Sequence, residues 1–327
     1  MRRASIGLLT LLAHVCGPAS SYHLDAPNGV DAYLFVPPEN ALSKAKIELG
    51  RRLFFDRRLS ADQSTSCASC HRPERAFSDT APRAIGVFGR VGRRNAPALI
   101  NVGYGKSFSW DGRTASIEEQ VLRAIQDSLE LALPLDEMVA RLRADAYYRR
   151  AYRQSFGGDV SAEATARALA SYLRTLRSGD SPRDRFHLGD TLGLSVEARR
   201  GFRLFAGKAN CSRCHMGPTL SDEEFHNTGV SFGGGDAGRA EVTGRDGDRG
   251  AFNTPTLRDV ALTSPYMHDG SFRMLEEVIE FYNRGGGPNP HLDSEIQPLG
   301  LTPEEKRSLL AFLQSLTGER CHGRMRC

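Results

Sequence analysis

Apolar residues return every three or four positions through the middle of the chain. Leu135, Met138, Val139 and Leu142 share one helical face, and Ala168, Leu169, Tyr172 and Leu173 share another, so the spacing predicts helices over 135–156 and 161–177. After them Gly179-Asp180-Ser181-Pro182 interrupts the pattern, and its composition predicts a linker. Ser195 reads as an N-cap. Thr302 reads as a second one, with Pro303 at the first helical position and Glu305 three residues after the cap, and Leu309, Phe312, Leu313 and Leu316 extend that helix along one apolar stripe. Residues 233–250 are rich in Gly, Asp and Arg, which predicts a mobile surface loop. The pattern as a whole predicts a mostly α fold with little sheet.

The N-terminus follows a different rule. Arg2-Arg3 precede the apolar run Ile6 to Val15, and the small residues Gly17-Pro18-Ala19-Ser20 follow it, the layout of a secretory signal covering residues 1–20. The run is short for a bilayer span, so no stable membrane insertion is expected after cleavage. His14 and Val15 argue against lipidation of Cys16.

The chain also repeats itself. Gly50-Arg51-Arg52-Leu53-Phe54 answers Gly201-Phe202-Arg203-Leu204-Phe205, and Ser78-Asp79 answers Ser221-Asp222. From Asn95 onward the correspondence keeps a constant offset of 158 residues: Asn95, Pro97 and Leu99 match Asn253, Pro255 and Leu257, Trp110-Asp111-Gly112 matches His268-Asp269-Gly270, and Ile117-Glu118-Glu119 matches Leu275-Glu276-Glu277. One register held through separate blocks implies two copies of one unit. The expected organisation is an N-terminal domain over 40–180, a C-terminal domain over 190–318 and a tail over 319–327.

Length and composition agree with this picture. The chain has 327 residues, enough for two ordinary domains, with 40% hydrophobic and 25% charged residues, which excludes disorder and a multi-span membrane protein. A formal charge of +4 is too mild to suggest a nucleic-acid partner.

Four of the seven cysteines sit in two C-x-x-C-H motifs, Cys67, Cys70 and His71, then Cys211, Cys214 and His215. A lone C-x-x-C reads equally as a zinc or redox pair. Two of them, each followed by histidine in an exported and duplicated chain, point to two c-type haems, with thiols bound to the vinyl groups and histidine to the iron. Cys321 and Cys327 remain as a candidate disulfide in an oxidising compartment. The offset also compares the far sides of the two irons: Tyr282 in the second unit answers Ala124 in the first. A phenolate can ligate ferric iron and a methyl group cannot. Met216, Met267 and Met274 are alternative ligands outside the repeat position, and His187, His226, His291 and His322 show no partner pattern.

Over roughly residues 40 to 318 the chain resembles the bacterial di-haem cytochrome c peroxidase and MauG superfamily. The resemblance rests on both C-x-x-C-H motifs, Arg94-Asn95-Ala96-Pro97, Trp110-Asp111-Gly112-Arg113, Pro265-Tyr266-Met267-His268-Asp269-Gly270 and the terminal Leu316-Thr317-Gly318. It implies two cytochrome c-like domains, the first with a peroxide-reactive haem and the second with an electron-transfer, charge-storing haem. The peroxidase branch has methionine at the distal position of the second haem and the MauG branch tyrosine, here Tyr282. Typical peroxidases also carry a distal histidine in the loop before R-N-A-P; Gly86 to Gly92 contains none. Both departures imply the MauG branch. By resemblance Gln120 and Glu130 line the peroxide pocket and Trp110 lies between the haems. Arg94 and Arg258 are expected to pair with haem propionates, as arginine commonly does with carboxylates. Asn95 and the carbonyls of Thr263 and Pro265 match a Ca²⁺ site. The implied activity is periplasmic: hydrogen peroxide is used to oxidise a partner protein, as the MauG and MbnH branches do to tryptophan or tyrosine side chains. Peroxide detoxification with electrons from a small cytochrome or cupredoxin is the alternative, and a non-enzymatic electron carrier a third.

Overall fold

Ser43 accepts a hydrogen bond from the amide of Lys46 and so opens the first long helix, α1 (Lys44–Phe54). The computed structural model describes residue 22 and residues 24–230 and 232–322. The expected signal at 1–20, with Cys16, and the far end of the chain, with Cys327, lie outside the described residues.

After α1 come α2 (Cys67–Cys70), α3 (Ile117–Gln126), α4 (Leu135–Ala144), α5 (Ala146–Phe156) and α6 (Ala162–Leu173), then strand β1 (Leu176–Gly179) and helix α7 (Pro182–His187). The second half holds α8 (Val196–Ala206), β2 (Phe225–His226), α9 (Ala240–Thr243), β3 (Phe252–Asn253), α10 (Leu275–Asn283), α11 (Pro303–Gln314) and β4 (Glu319–His322). The fold is mostly helical, with β1 pairing antiparallel to β4 and β2 to β3.

The helix expected over 135–156 is two helices, because the Asp145 side chain caps α5 through the amide of Tyr147 at 2.7 Å. The one expected over 161–177 stops at Leu173, and the chain turns into β1. Gly179 to Pro182 is no loose linker: β1 is buried, and Ser181 and Asp184 form a capping box on α7. The residues expected to trail as a tail from 319 supply β4, since the exposed edge of β1 needs a backbone partner. Ser195 and Thr302 cap α8 and α11 as their sequences predict.

Apolar side chains gather in two cores. One joins α1 to α6 and includes Leu53, Phe54, Ile125, Tyr148 and Tyr172; the other joins α8, α10 and α11 through Phe205, Ile279, Leu309 and Phe312. Backbone features recur at the sequence offset. Asn101 and Asp259 both have positive φ (58° and 55°), as do Ser109 and Met267 (68° and 72°). The bridge Phe108–Thr114 is matched by Tyr266–Phe272. In each half a glycine lets two helices touch: a Cβ on Gly50 would lie 1.9 Å from the Ala168 carbonyl oxygen, and one on Gly201 1.9 Å from that of Ser308. Gly201→Ala is therefore expected to destabilise the protein by about 1–3 kcal/mol through overpacking, visible as a lower midpoint in thermal unfolding.

The loop over 233–250 is pinned rather than free. Asp236 binds Arg94, Glu241 binds Arg93, and Arg239 donates to the carbonyls of Asp111 and Gly112. Its polar composition serves ion pairs with the first half.

Candidate active site

The single turn of α2 places Cys67 and Cys70 on one face and delivers His71 directly after it. His71 Nδ1 lies 2.9 Å from the carbonyl oxygen of Phe77, and His215 Nδ1 lies 3.1 Å from that of Leu220. A carbonyl only accepts, so each Nδ1 carries the proton and each Nε2 keeps its lone pair for a metal. Burial lowers both imidazoles and holds them in this neutral, ligating form. Burial also pushes the free thiols of Cys67 and Cys211 up to about 12.

Both motifs open onto one cavity of about 580 Å³. Its walls include Phe54, Val121, Leu173, Leu257, Ile279 and Leu313. Apolar walls with two thiols and a ligating histidine from each half suit two flat apolar macrocycles, so the residues present fit two haems.

On the first side the wall carries Ala124, Gln120 and Glu130. Ser109 and Thr114 hydroxyls both donate to Gln120 Oε1 at 2.8 Å, which leaves the amide NH₂ to donate into the site. Glu130 lines the cavity and keeps an exposed surface. Burial, aided by the charge of Asp127, pushes its carboxyl up to about 7. The loop from Gly86 to Gly92 turns Gly86 and Gly92 to the cavity and Phe88 outward, 62% exposed. Val87 N–H donates to the Glu130 carbonyl at 2.9 Å and Phe88 N–H to Asp62 at 3.0 Å, so this loop is tied to the segment that carries Glu130.

On the second side Tyr282 lines the cavity from α10. Burial pushes its phenol up to about 12, with Thr228, Cys211 and Cys214 as neighbours. Met267 also lines the cavity, whereas Met216 and Met274 are exposed at 49% and 55%.

Between the halves Trp110 donates from Nε1 to the Asn95 carbonyl at 2.8 Å and meets His268 edge-on at 6.4 Å. His268 stacks on Phe252 at 3.6 Å, and burial lowers its imidazole to about 4. Asn95, Thr263 and Pro265 all line the cavity. Asn95 Nδ2 donates to the carbonyls of Ala81 and Pro82 at 3.1 and 3.3 Å, leaving Oδ1 as the atom suited to a hard cation.

The two arginines expected at propionates differ. Arg94 borders the cavity and is held by Asp111 at 2.6 Å and Asp236 at 2.7 Å, with Glu241 at 4.0 Å. Arg258 is not among the cavity-lining residues. It is 1% exposed, ion-paired with Asp184 at 2.7 Å, and donates also to the Pro218 carbonyl at 2.6 Å. A buried guanidinium takes the nearest carboxylate, and that carboxylate comes from α7.

His226, which shows no partner pattern in sequence, is held between Asp293 (2.6 Å) and Asp222 (3.0 Å) beside Cys214. Cys214, Asp293 and Asp222 together push its imidazole up to about 10; once Cys214 is a thioether the two carboxylates remain. His291 approaches Asp246 at 3.6 Å. Asp222 lies four residues before His226, but Asp293 and, for His291, Asp246 come from distant segments that no spacing rule joins.

The model of the family described as di-haem cytochrome c peroxidase matches residues 44–192. The methylamine utilization protein MauG of Methylorubrum extorquens is 41% identical over 291 residues, 86% of this chain and 81% of that protein. The cytochrome-c peroxidase IdrP1 of Denitromonas iodatirespirans is 35% identical over 349 residues, 96% of this chain and 93% of that protein. Among solved structures, a MauG-like protein associated with microbial copper homeostasis superposes with a TM-score of 0.85 at 35% identity, covering 91% of this chain and 96% of that one.

Proposed function

Because this chain belongs to the di-haem cytochrome c peroxidase/MauG family, we propose that it is a MauG-type member that uses hydrogen peroxide to oxidise a partner protein in the periplasm. The coarser activity follows from the family itself: the chain is a peroxide-dependent di-haem oxidoreductase with two haem cofactors. The observation that carries the finer reading is Tyr282, on the wall of the same cavity whose equivalent position in the first half is Ala124.

His71 and His215 would hold the irons through Nε2, and Cys67, Cys70, Cys211 and Cys214 the macrocycles as thioethers. Bound haem supplies the metal at which peroxide is reduced and the capacity to store oxidising equivalents. Glu130 accepts the proton of incoming peroxide and returns it to the leaving oxygen. Gln120, its oxygen fixed by two hydroxyls, orients the substrate through its NH₂. The loop at Gly86 to Gly92 carries no side chain that could ligate the first iron, and the Tyr282 phenol oxygen would ligate the second. Trp110 and His268, in edge contact between the halves, offer a path for electrons. Asn95 Oδ1 with the carbonyls of Thr263 and Pro265 would hold one Ca²⁺; chelation is then expected to slow peroxide-driven oxidation and to be reversed by added Ca²⁺, as stopped-flow absorption would read. Localisation follows from the secretory pattern of residues 1–20; among the described residues no helix is long and apolar enough to cross a membrane.

Steady-state kinetics separate the two enzymatic readings. Negligible turnover of a reduced small cytochrome or cupredoxin, together with peroxide-dependent loss of tryptophan or tyrosine in a partner protein, is expected here; rapid turnover would make the protein a detoxifying peroxidase.

A further inference from the structure

Helix α1 ends against the first haem site. Phe54 lines the cavity, and its ring lies 5.3 Å from that of Tyr172 on α6. Two residues further on, Asp56 Oδ2 accepts a hydrogen bond of 2.5 Å from the hydroxyl of Tyr148 on α5. Tyr148 and Tyr172 are both fully buried and belong to one core, with α1 packed on α5 and on α6. The Tyr148 ring meets Tyr147 edge-on at 5.5 Å. Tyr147 reaches partial exposure with the guanidinium of Arg52 4.0 Å above its face.

None of these phenols has a part in the chemistry above. A buried tyrosine needs only some acceptor, and for Tyr152 a hydroxyl suffices: Thr165 lies at 2.6 Å. Tyr148 instead faces a carboxylate. Burial would raise Asp56, but hydrogen bonds from Arg58 and Tyr148 hold it below the usual range, so it stays ionised. Loss of an electron turns a phenol into a strong acid, and a base already hydrogen-bonded to the hydroxyl removes the main barrier to its oxidation.

We propose that Tyr148 and Tyr147 form a relay that carries surplus oxidising equivalents from the first haem site to the protein surface, with Asp56 as the proton acceptor of Tyr148. The relay rests on the peroxide chemistry of the preceding section. At Tyr148 one electron passes towards Phe54, two residues before its partner Asp56, to fill an oxidising equivalent that peroxide has left at the first site. The phenolic O–H bond breaks, the proton moves to Asp56 Oδ2, and a neutral tyrosyl radical remains. The Arg58 guanidinium, 5.0 Å from the ring centre, disfavours a cationic ring. It also keeps its ion pair with Asp145 at 2.7 Å when Asp56 is neutralised. Tyr147 then gives one electron to Tyr148 and one proton to water, while Asp56 returns its proton to Tyr148. A one-electron reductant in solution, with a proton from water, restores Tyr147.

The test is freeze-quench EPR of the di-haem protein after one equivalent of peroxide without partner protein, using ring-deuterated tyrosine to identify the radical, with haem absorption followed in parallel. The wild type is expected to show a tyrosyl signal that ascorbate removes; Tyr148→Phe and Asp56→Asn lose it while the haem absorption change persists. Peptide mass spectrometry after repeated peroxide should find oxidation at Tyr147 in the wild type and its loss in Tyr148→Phe. Tyr147→Phe, altered only near the surface, should keep the radical but slow its removal by ascorbate. A tyrosyl signal unchanged in Tyr148→Phe, or a radical confined to Trp110, overturns the relay alone. Absence of any haem absorption change with peroxide overturns the peroxide reading and the relay together.

Discussion

Replacing Glu130 with glutamine is expected to slow the reaction of the haem-loaded protein with hydrogen peroxide by about 10²–10⁴-fold, the usual worth of a positioned acid–base group. Glutamine keeps the shape and removes the proton exchange, so both haems should stay attached and the spectrum of the second should not change. The pH dependence gives the sign. The ionised carboxylate is the form that accepts the peroxide proton, and burial holds this carboxyl up to about 7. The wild-type rate should therefore climb as pH rises through about 7 and level off above it, and the variant profile should be flat over that window. Folding responds in the opposite sense. A carboxyl whose folded pKa is raised gives its full contribution below the unfolded value and loses it as pH rises through the folded one. Glu130→Gln should then cost no stability at pH 8, and a variant that is slow merely because it is unfolded would be recognised by its unfolding midpoint.

Removing the hydroxyl of Tyr282 should produce the second large effect. In Tyr282→Phe the second haem is expected to lose its sixth ligand, so the low-spin ferric EPR signal gives way to a high-spin one and the site binds small exogenous ligands. Tyr282→His should restore a low-spin signal. Low-spin signals unchanged in both variants would sink the assignment. The phenol of this chain is held up to about 12 by burial, so it does not ionise near neutral pH unaided. A metal cation in contact with the oxygen inverts that balance and draws the phenolate out. An anionic oxygen ligand of this kind favours oxidised iron, which is what a charge-storing haem needs.

The same contrast between halves is legible in the sequence. The two C-x-x-C-H motifs carry their chemistry in a spacing set by porphyrin geometry, and a constant offset of 158 residues paired Tyr282 with Ala124. Both residues do line one cavity. Caps were equally readable, because Ser195 and Thr302 act within one turn of themselves. Failures occurred where the partner is remote. Residues 233–250 look like a free loop until Asp236 and Glu241 meet Arg94 and Arg93, more than a hundred residues away. Arg258 looks like a propionate partner until Asp184 takes its guanidinium in the core.

Sequence alone therefore determined the C-x-x-C-H motifs, the constant offset that pairs Tyr282 with Ala124 and the mostly helical class, since all of these are local or periodic. Only the tertiary structure decided which charges find each other, that Gln120 is fixed by two hydroxyls, that Glu130 is raised by burial, and that Tyr148 meets Asp56. Those properties depend on burial and on contacts between distant segments. A carboxyl has the same side chain in every sequence context, and it becomes a proton acceptor, a salt-bridge partner or a neutral acid only when folding sets its neighbours and its access to water.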